Sequence, residues 1–236
     1  MAIPIAAGPA GTALRDELGE MIDETARRIC EHPYYRGLRD GSLPGAALVH
    51  FTLQDSCHLL PGYGRANARC AALARTARQA EVLSRMATGS LEDCGVRLEA
   101  FHKTAARLGL QLPPEPDLPP VAPATLAYTS FLTAASATSL AAGVGALLPS
   151  AWLYMLVTDD LVVRYDPFSR YAKEVEQAHP GEFYRGMLED FLDVAEEISA
   201  TEGPGGRREL ACHAERAARY EWAFVDAAWR LESWPF

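Results

Sequence analysis

Apolar side chains recur at intervals of three and four along most of this chain, the spacing that lines one face of an α-helix. Leu14, Leu18, Ile22, Ala26 and Ile29 make the first such stripe. It predicts a helix over residues 12–31, capped by Thr12 and stopped by Pro33. A short piece over 34–38 ends in the turn Asp40-Gly41-Ser42-Leu43-Pro44. Helical spacing continues over 44–74, with a bend expected near Pro61-Gly62 and Gly64. Residues 77–86 predict a further helix. Ser90-Leu91-Glu92-Asp93 has the form of a helix start, opening a segment that runs to Leu108 and closes at Gly109. Residues 110–123, rich in proline, read as an extended surface connection. Helices are predicted over 124–138, 140–163, 168–177, 180–201 and 207–231, with Gly203-Pro204-Gly205-Gly206 between the last two. No stretch sustains period-two alternation of β-branched residues, and no repeat period is present. The expected fold class is all-α, a multi-helix bundle in a single domain over 1–236, with residues 1–11 a flexible N-terminus.

Phe131 to Val157 contains no charged side chain, a length that raises a membrane-spanning reading. Thr133, Ser136, Thr138, Ser139, Gly143, Gly145, Pro149 and Ser150 break its apolar character, and Thr158-Asp159-Asp160 ends it without a basic flank. Two buried core helices account for it, and no membrane partner is expected. With 31 acidic against 22 basic residues and no Lys/Arg cluster, nucleic acid is not an expected partner either. The N-terminal residues lack the basic region of a signal peptide, and the five cysteines include no CxxC pair. Both features imply a cytoplasmic protein without disulfides or a zinc site.

Three polar groupings interrupt the apolar pattern. Ser150 and Tyr154 stand four apart on the buried helix, so both hydroxyls share a face. Asp55 and His58 share a face of the helix that also carries Phe51, Leu53, Leu59 and Leu60. Glu221 lies among Tyr220, Trp222 and Phe224 near the C-terminus, where burial would raise its pKa as acid–base work requires. Each also has a bland reading: a serine bonded to its own helix, an aspartate paired in the core, a glutamate on a rim. Glu99-x-x-His102 has the spacing of a di-iron ligand pair, but His213 precedes Glu221 by about two turns, too far to share an ion with it. No metal or other cofactor is expected.

Together the motifs resemble the TenA (thiaminase II) family. They are His32-Pro33-Tyr34-Tyr35-Arg36-Gly37-Leu38-Arg39-Asp40-Gly41-Ser42-Leu43-Pro44, then Phe51 to Asp55, and Tyr128-Thr129-Ser130. Leu147-Leu148-Pro149-x-x-Trp152-x-Tyr154 and Tyr220-Glu221-Trp222-x-Phe224 through Trp229-Arg230 complete the set. The resemblance runs from about residue 20 to the end and implies a heme-oxygenase-like fold with a pocket in the centre of the bundle. It further implies an aspartate that holds the aminopyrimidine ring (Asp55), a glutamate that moves protons (Glu221), and pocket side chains at Tyr128, Tyr154 and Phe224. The family's nucleophilic cysteine is replaced by Ser150, a hydroxyl that needs a neighbouring base to react. His58 stands where the family has an aromatic pocket residue, and Tyr171 is the nearest match to a further pocket tyrosine expected around 171–178. Cys57 points away from Asp55 on a regular helix and reads as packing.

The resemblance leads to an enzyme acting on thiamin or on an amino- or formylamino-pyrimidine by a carboxylate-based mechanism without a cysteine. In it Glu221 is the base, Asp55 the anchor and Ser150 a hydrogen-bond donor, with His58, Tyr128, Tyr154 and Phe224 against the substrate. One alternative is a repurposed relative acting on a different small heterocycle, with His58 supplying a titratable group. Another is a non-catalytic binding or regulatory homologue. The resemblance also implies a homo-oligomer, a dimer or a tetramer.

Overall fold

The computed structural model describes residues 13–113, 119–179 and 181–235. Thr12, the expected flexible N-terminus and residues 114–118 of the connection lie outside the described residues. Among the described residues the regular structure is α-helical apart from one π-helical turn. In order, the elements are α1 (Leu14–Cys30), α2 (Pro33–Asp40), α3 (Gly45–Gln54), the π turn (Asp55–Leu59), α4 (Leu60–Leu73) and α5 (Ala77–Leu108). They continue with α6 (Pro123–Thr138), α7 (Leu140–Arg164), α8 (Ala172–Ala178), α9 (Gly181–Thr201) and α10 (Gly203–Trp229).

Helix α7 is the axis of the bundle. Every residue from Leu140 to Pro149 is buried, and α1, α4, α6, α9 and α10 all pack against it. It is long and apolar enough to cross a membrane, yet 78% of its apolar window is buried inside the fold. Its apolar surface is therefore spent on neighbouring helices, as expected for a core element. Gly145 allows the approach of α10: a Cβ there would lie 2.3 Å from the Leu210 carbonyl oxygen, which cannot rotate aside. Gly145→Ala should gain about 1 kcal/mol of helix propensity but lose about 1–3 kcal/mol to overpacking against backbone. We expect a net fall in stability, read as a lower midpoint in urea; an unchanged or higher midpoint would show that α7 and α10 can part without cost.

Three local expectations are corrected. The interruption of the 44–74 segment is the π turn over Asp55–Leu59, ahead of Pro61-Gly62, and Leu60 N–H bonds back to the Asp55 carbonyl. Pro61 has no N–H to give the carbonyl four residues earlier and its ring crowds it, so the strain is released in the turn just upstream. Residues 77–108 form one helix without a break at Ser90. The Ser90 hydroxyl donates to the Met86 carbonyl at 2.7 Å within the helix, so it does not cap a new one. The Gly203–Gly206 run opens α10: Gly203 adopts φ +68, turning the chain in one residue, and Pro204 occupies the first turn. Pro33 likewise begins α2, with the His32 ring accepting from Tyr34 N–H at 3.1 Å. Gly109 closes α5 at φ +66, as expected.

Candidate active site

The bundle brings Glu221, Tyr128 and Ser150 together from α10, α6 and α7. Tyr128 is fully buried, and its hydroxyl donates to Glu221 Oε1 at 2.6 Å. That is the length of a strong hydrogen bond to an ionised acceptor. Tyr220, adjacent to Glu221, stacks on the Tyr128 ring at 5.3 Å and 7°, fixing the phenol in place. The Ser150 hydroxyl adds a further polar contact to both partners. It directly follows Pro149, whose missing N–H removes one hydrogen bond from α7 at that point. Burial pushes the Glu221 pKa up, the Tyr128 and Ser150 contacts pull it down, and the charge of Asp55 raises it again; the net shift is upward.

Asp55, the first residue of the π turn, forms a second centre. Its side chain is 19% exposed, and Arg97 of α5 faces it with Nη1 at 3.8 Å from Oδ2. That separation is an ion pair without a hydrogen bond, so the carboxylate keeps acceptor capacity for another donor. Arg97 also meets Asp93 at 3.4 Å and lies 5.5 Å from the centre of the Tyr154 ring. Burial raises the Asp55 pKa, Arg97 opposes the rise, Asp93 adds to it, and the net shift is upward.

The remaining candidates go to different places. The Tyr154 hydroxyl donates to the Ala178 carbonyl at 2.8 Å, so its polar end is used away from Ser150 although both lie on one helix face. Phe224 is buried in an aromatic row in which Phe51 meets Phe224 at 5.1 Å and Tyr34 at 4.9 Å. His58 bonds through Nε2 to the Pro119 carbonyl at 2.8 Å, while Gln54 pairs with Pro120 O and Ala122 N–H, both at 2.9 Å. These two side chains clasp the proline-rich connection. The π turn explains why His58 diverges from Asp55: it winds through a smaller angle per residue than an α-helix, so three residues fall short of the same face. Tyr171 is fully buried with its hydroxyl on the Leu43 carbonyl at 2.7 Å. Tyr184 takes the place beside Tyr154, with ring centres 5.2 Å apart. Among the described residues no group of three His, Cys, Asp or Glu is arranged to hold a metal ion. Glu99 pairs with Lys103 at 2.8 Å, and His213 bonds the Glu209 carbonyl. Two surface grooves, of about 190 and 330 Å³, include none of the residues of either centre.

Arg97, Tyr35 and Tyr184 are parts of this arrangement that sequence reasoning missed. Tyr35 of α2 lies within electrostatic reach of Glu221, Asp55 and Tyr154. A signal for Arg97 exists: Leu83, Ala87, Ser90, Cys94, Arg97, Phe101 and Ala105 follow one another at spacings of three and four. Dividing the helix at Ser90 hides that stripe.

The TENA/THI-4/PQQC family model matches residues 20–231. The chain belongs to this family. It is 25% identical over 204 residues to the aminopyrimidine aminohydrolase of Bacillus subtilis (strain 168), covering 86% of this chain and 84% of that protein. Among solved structures, the TenA homologue from P. horikoshii OT3 superposes with a TM-score of 0.72 at 24% identity, covering 93% of this chain and 99% of its own. A TenA family transcription regulator from Silicibacter sp. TM1040 gives 0.74 at 17% identity, covering 96% and 98%. A TenA-like thiaminase from Sulfolobus solfataricus gives 0.71 at 19% identity, covering 94% and 98%. These likenesses establish the fold as that of TenA proteins, the heme-oxygenase-like bundle expected from the motifs.

Proposed function

We propose that this TenA-family chain is a hydrolase of thiamin salvage that acts on an aminopyrimidine through carboxylates, with no cysteine nucleophile. The observation that carries the reading is the half-buried Glu221 carboxyl, held by Tyr128 at 2.6 Å, with Ser150, which the family resemblance matches to its cysteine, beside it. A carboxylate held in low-dielectric surroundings is a stronger base than one in water. Glu221 removes a proton from water, the water oxygen attacks the carbon bearing the leaving nitrogen, and the proton passes to that nitrogen as it departs. Asp55 anchors the ring by accepting from its amino group, and Arg97 opposes the rise that burial gives its pKa. Ser150 donates a hydrogen bond to Glu221 or to the water. The similarity to the Bacillus subtilis aminopyrimidine aminohydrolase supports this substrate class.

The test is mass-spectrometric product analysis with thiamin, formylaminopyrimidine and aminomethylpyrimidine. The hydroxymethyl or amino product is expected, and no conversion by well-folded protein rejects the reading. The guanidinium of Arg97 at the ring anchor favours a second reading, a different heterocycle bearing a hydrogen-bond acceptor. Under that reading aminomethylpyrimidine produces no thermal shift.

The pH dependence has a definite sign. Glu221 works ionised and its pKa is raised above 4.5, so the acid limb of kcat/KM should lie above the ordinary glutamate range. Tyr128→Phe removes the largest contact that lowers this pKa, so the limb should move further up. A limb that stays in place would separate Glu221 from the rate.

A further inference from the structure

Helix α6, which carries Tyr128, opens on Ala122-Pro123-Ala124 and has no side-chain cap of its own. The first amides of a helix find no partner within it, so they must be met from elsewhere. Pro123 has no N–H, and Ala122 N–H donates to Gln54 Oε1 at 2.9 Å. Ala124 N–H donates to Glu232 Oε2 at 2.8 Å, across 108 residues of sequence. Glu232 lies just past α10 and is aimed by an unusual turn. Leu231 N–H bonds to the Ala228 carbonyl at 3.2 Å and Glu232 N–H to the Ala227 carbonyl at 2.9 Å, a helix ending that normally uses glycine. Here Leu231 takes φ +53, the one positive value outside glycine among the described residues. Such strain persists where the surroundings hold it. Two contacts do so: His50 Nε2 donates to the Glu232 carbonyl at 2.9 Å, and the Trp234 indole N–H to the Val121 carbonyl at 2.8 Å. Helix α10 and the segment after it therefore grip α6 twice, at Tyr128 through Glu221 and at Ala124 through Glu232. Ala124 and Tyr128 stand four apart, one turn along the same face.

We propose that Glu232 is a positioning residue of the active site: by capping α6 it fixes the turn that carries Tyr128 and so holds the phenol against Glu221. The proposal rests on the reading of Glu221 as the base. A carboxylate at a helix N-terminus meets an unpaired amide and the positive end of the helix dipole together. Without it the first turn of α6 frays, and fraying that reaches Tyr128 lengthens the contact with Glu221. Glu221 then loses the strongest of the contacts that lower its pKa and is protonated over more of the working range. The effect falls on the readiness of the base, so kcat should drop more than KM rises. Ser150, Asp55, Tyr35, Tyr63 and Tyr184, the other groups that bear on Glu221, are left in place.

The experiment follows two signals in the wild type, Glu232→Ala and Glu232→Gln. One is amide hydrogen exchange over residues 124–128. The other is the titration of Glu221, read by NMR of protein labelled with ¹³C at the glutamate carboxyls and assigned with Glu221→Gln. In Glu232→Ala the protection should fall about 2- to 30-fold, the worth of a lost cap. The Glu221 midpoint should rise by about 0.3–1 in pH, the worth of a weakened hydrogen bond. Glutamine can still accept from Ala124, so Glu232→Gln should restore both signals toward wild type. Glu232→Leu, which keeps the bulk and lacks an acceptor, is read in the same way should the alanine variant aggregate. Lost protection with an unmoved Glu221 midpoint overturns the proposal, because the cap then serves stability alone. Unchanged protection overturns it, as does a glutamine variant that behaves like alanine. The titration needs no turnover. A wild type that converts no pyrimidine would reject Glu221 as the base, and the clamp on Tyr128 would still be decided by the titration.

Discussion

Glu221→Gln should lower turnover by about 10²–10⁴-fold, the usual contribution of a general base, while binding of the aminopyrimidine survives. The amide has the shape of the carboxyl and can still accept from Tyr128, so the local packing is kept. What is lost is the capacity to take a proton from water. The same substitution should stabilise the fold at neutral pH. A carboxyl whose folded pKa is raised holds its proton more tightly in the folded chain than in the unfolded one. Its stabilising contribution is therefore complete below the ordinary value of 4.5 and is lost as pH rises through the raised folded value. At pH 7 the wild type bears that cost and the glutamine variant does not. The expected result is a dead but more thermostable protein, with the difference in melting temperature shrinking as pH falls toward 4. Retained turnover would remove Glu221 from the mechanism, and a melting temperature below wild type at pH 7 would show that the Tyr128 and Ser150 contacts outweigh burial.

Asp55→Asn is the second large effect and should act on a different parameter. A charge-assisted hydrogen bond contributes about 1.5–3 kcal/mol, so its loss should raise KM about 10- to 100-fold. The smaller change should fall on kcat, because the anchor touches the ring and not the bond that breaks. Steady-state kinetics of the variant separates the two parameters. Removing the carboxylate also leaves Arg97 with Asp93 alone, at 3.4 Å, so part of the loss comes from a guanidinium that loses its inner partner. Arg97→Gln measures that part on its own. A loss confined to kcat would instead place Asp55 in the chemistry.

The sequence displayed the scaffold better than the arrangement of side chains upon it. The stripe from Leu14 to Ile29 and the uncharged run through α7 are read correctly because burial on one face, or on every face, leaves a direct mark on composition. The errors sit where two local rules compete. Ser90-Leu91-Glu92-Asp93 looks like a helix start, but tertiary packing carries α5 straight through it, and the Ser90 hydroxyl bonds backward at 2.7 Å. Pro61 announces a distortion without saying where it is absorbed, and its absorption at Asp55–Leu59 re-aims Asp55 and His58. Glu221 and Tyr128 were legible as candidates through the family motif, yet their 2.6 Å contact joins residues 93 apart in the chain. Arg97 carries no motif at all; only the packing of α5 against the site reveals it.

The most direct measurement is a crystal structure of the Glu221→Gln variant with formylaminopyrimidine bound. The ring amino group should lie within hydrogen-bond distance of the Asp55 carboxylate, with the formyl carbon facing residue 221. A ligand bound with its amino group away from Asp55, or seated in one of the surface grooves, would contradict the assignment of this cluster as the active site.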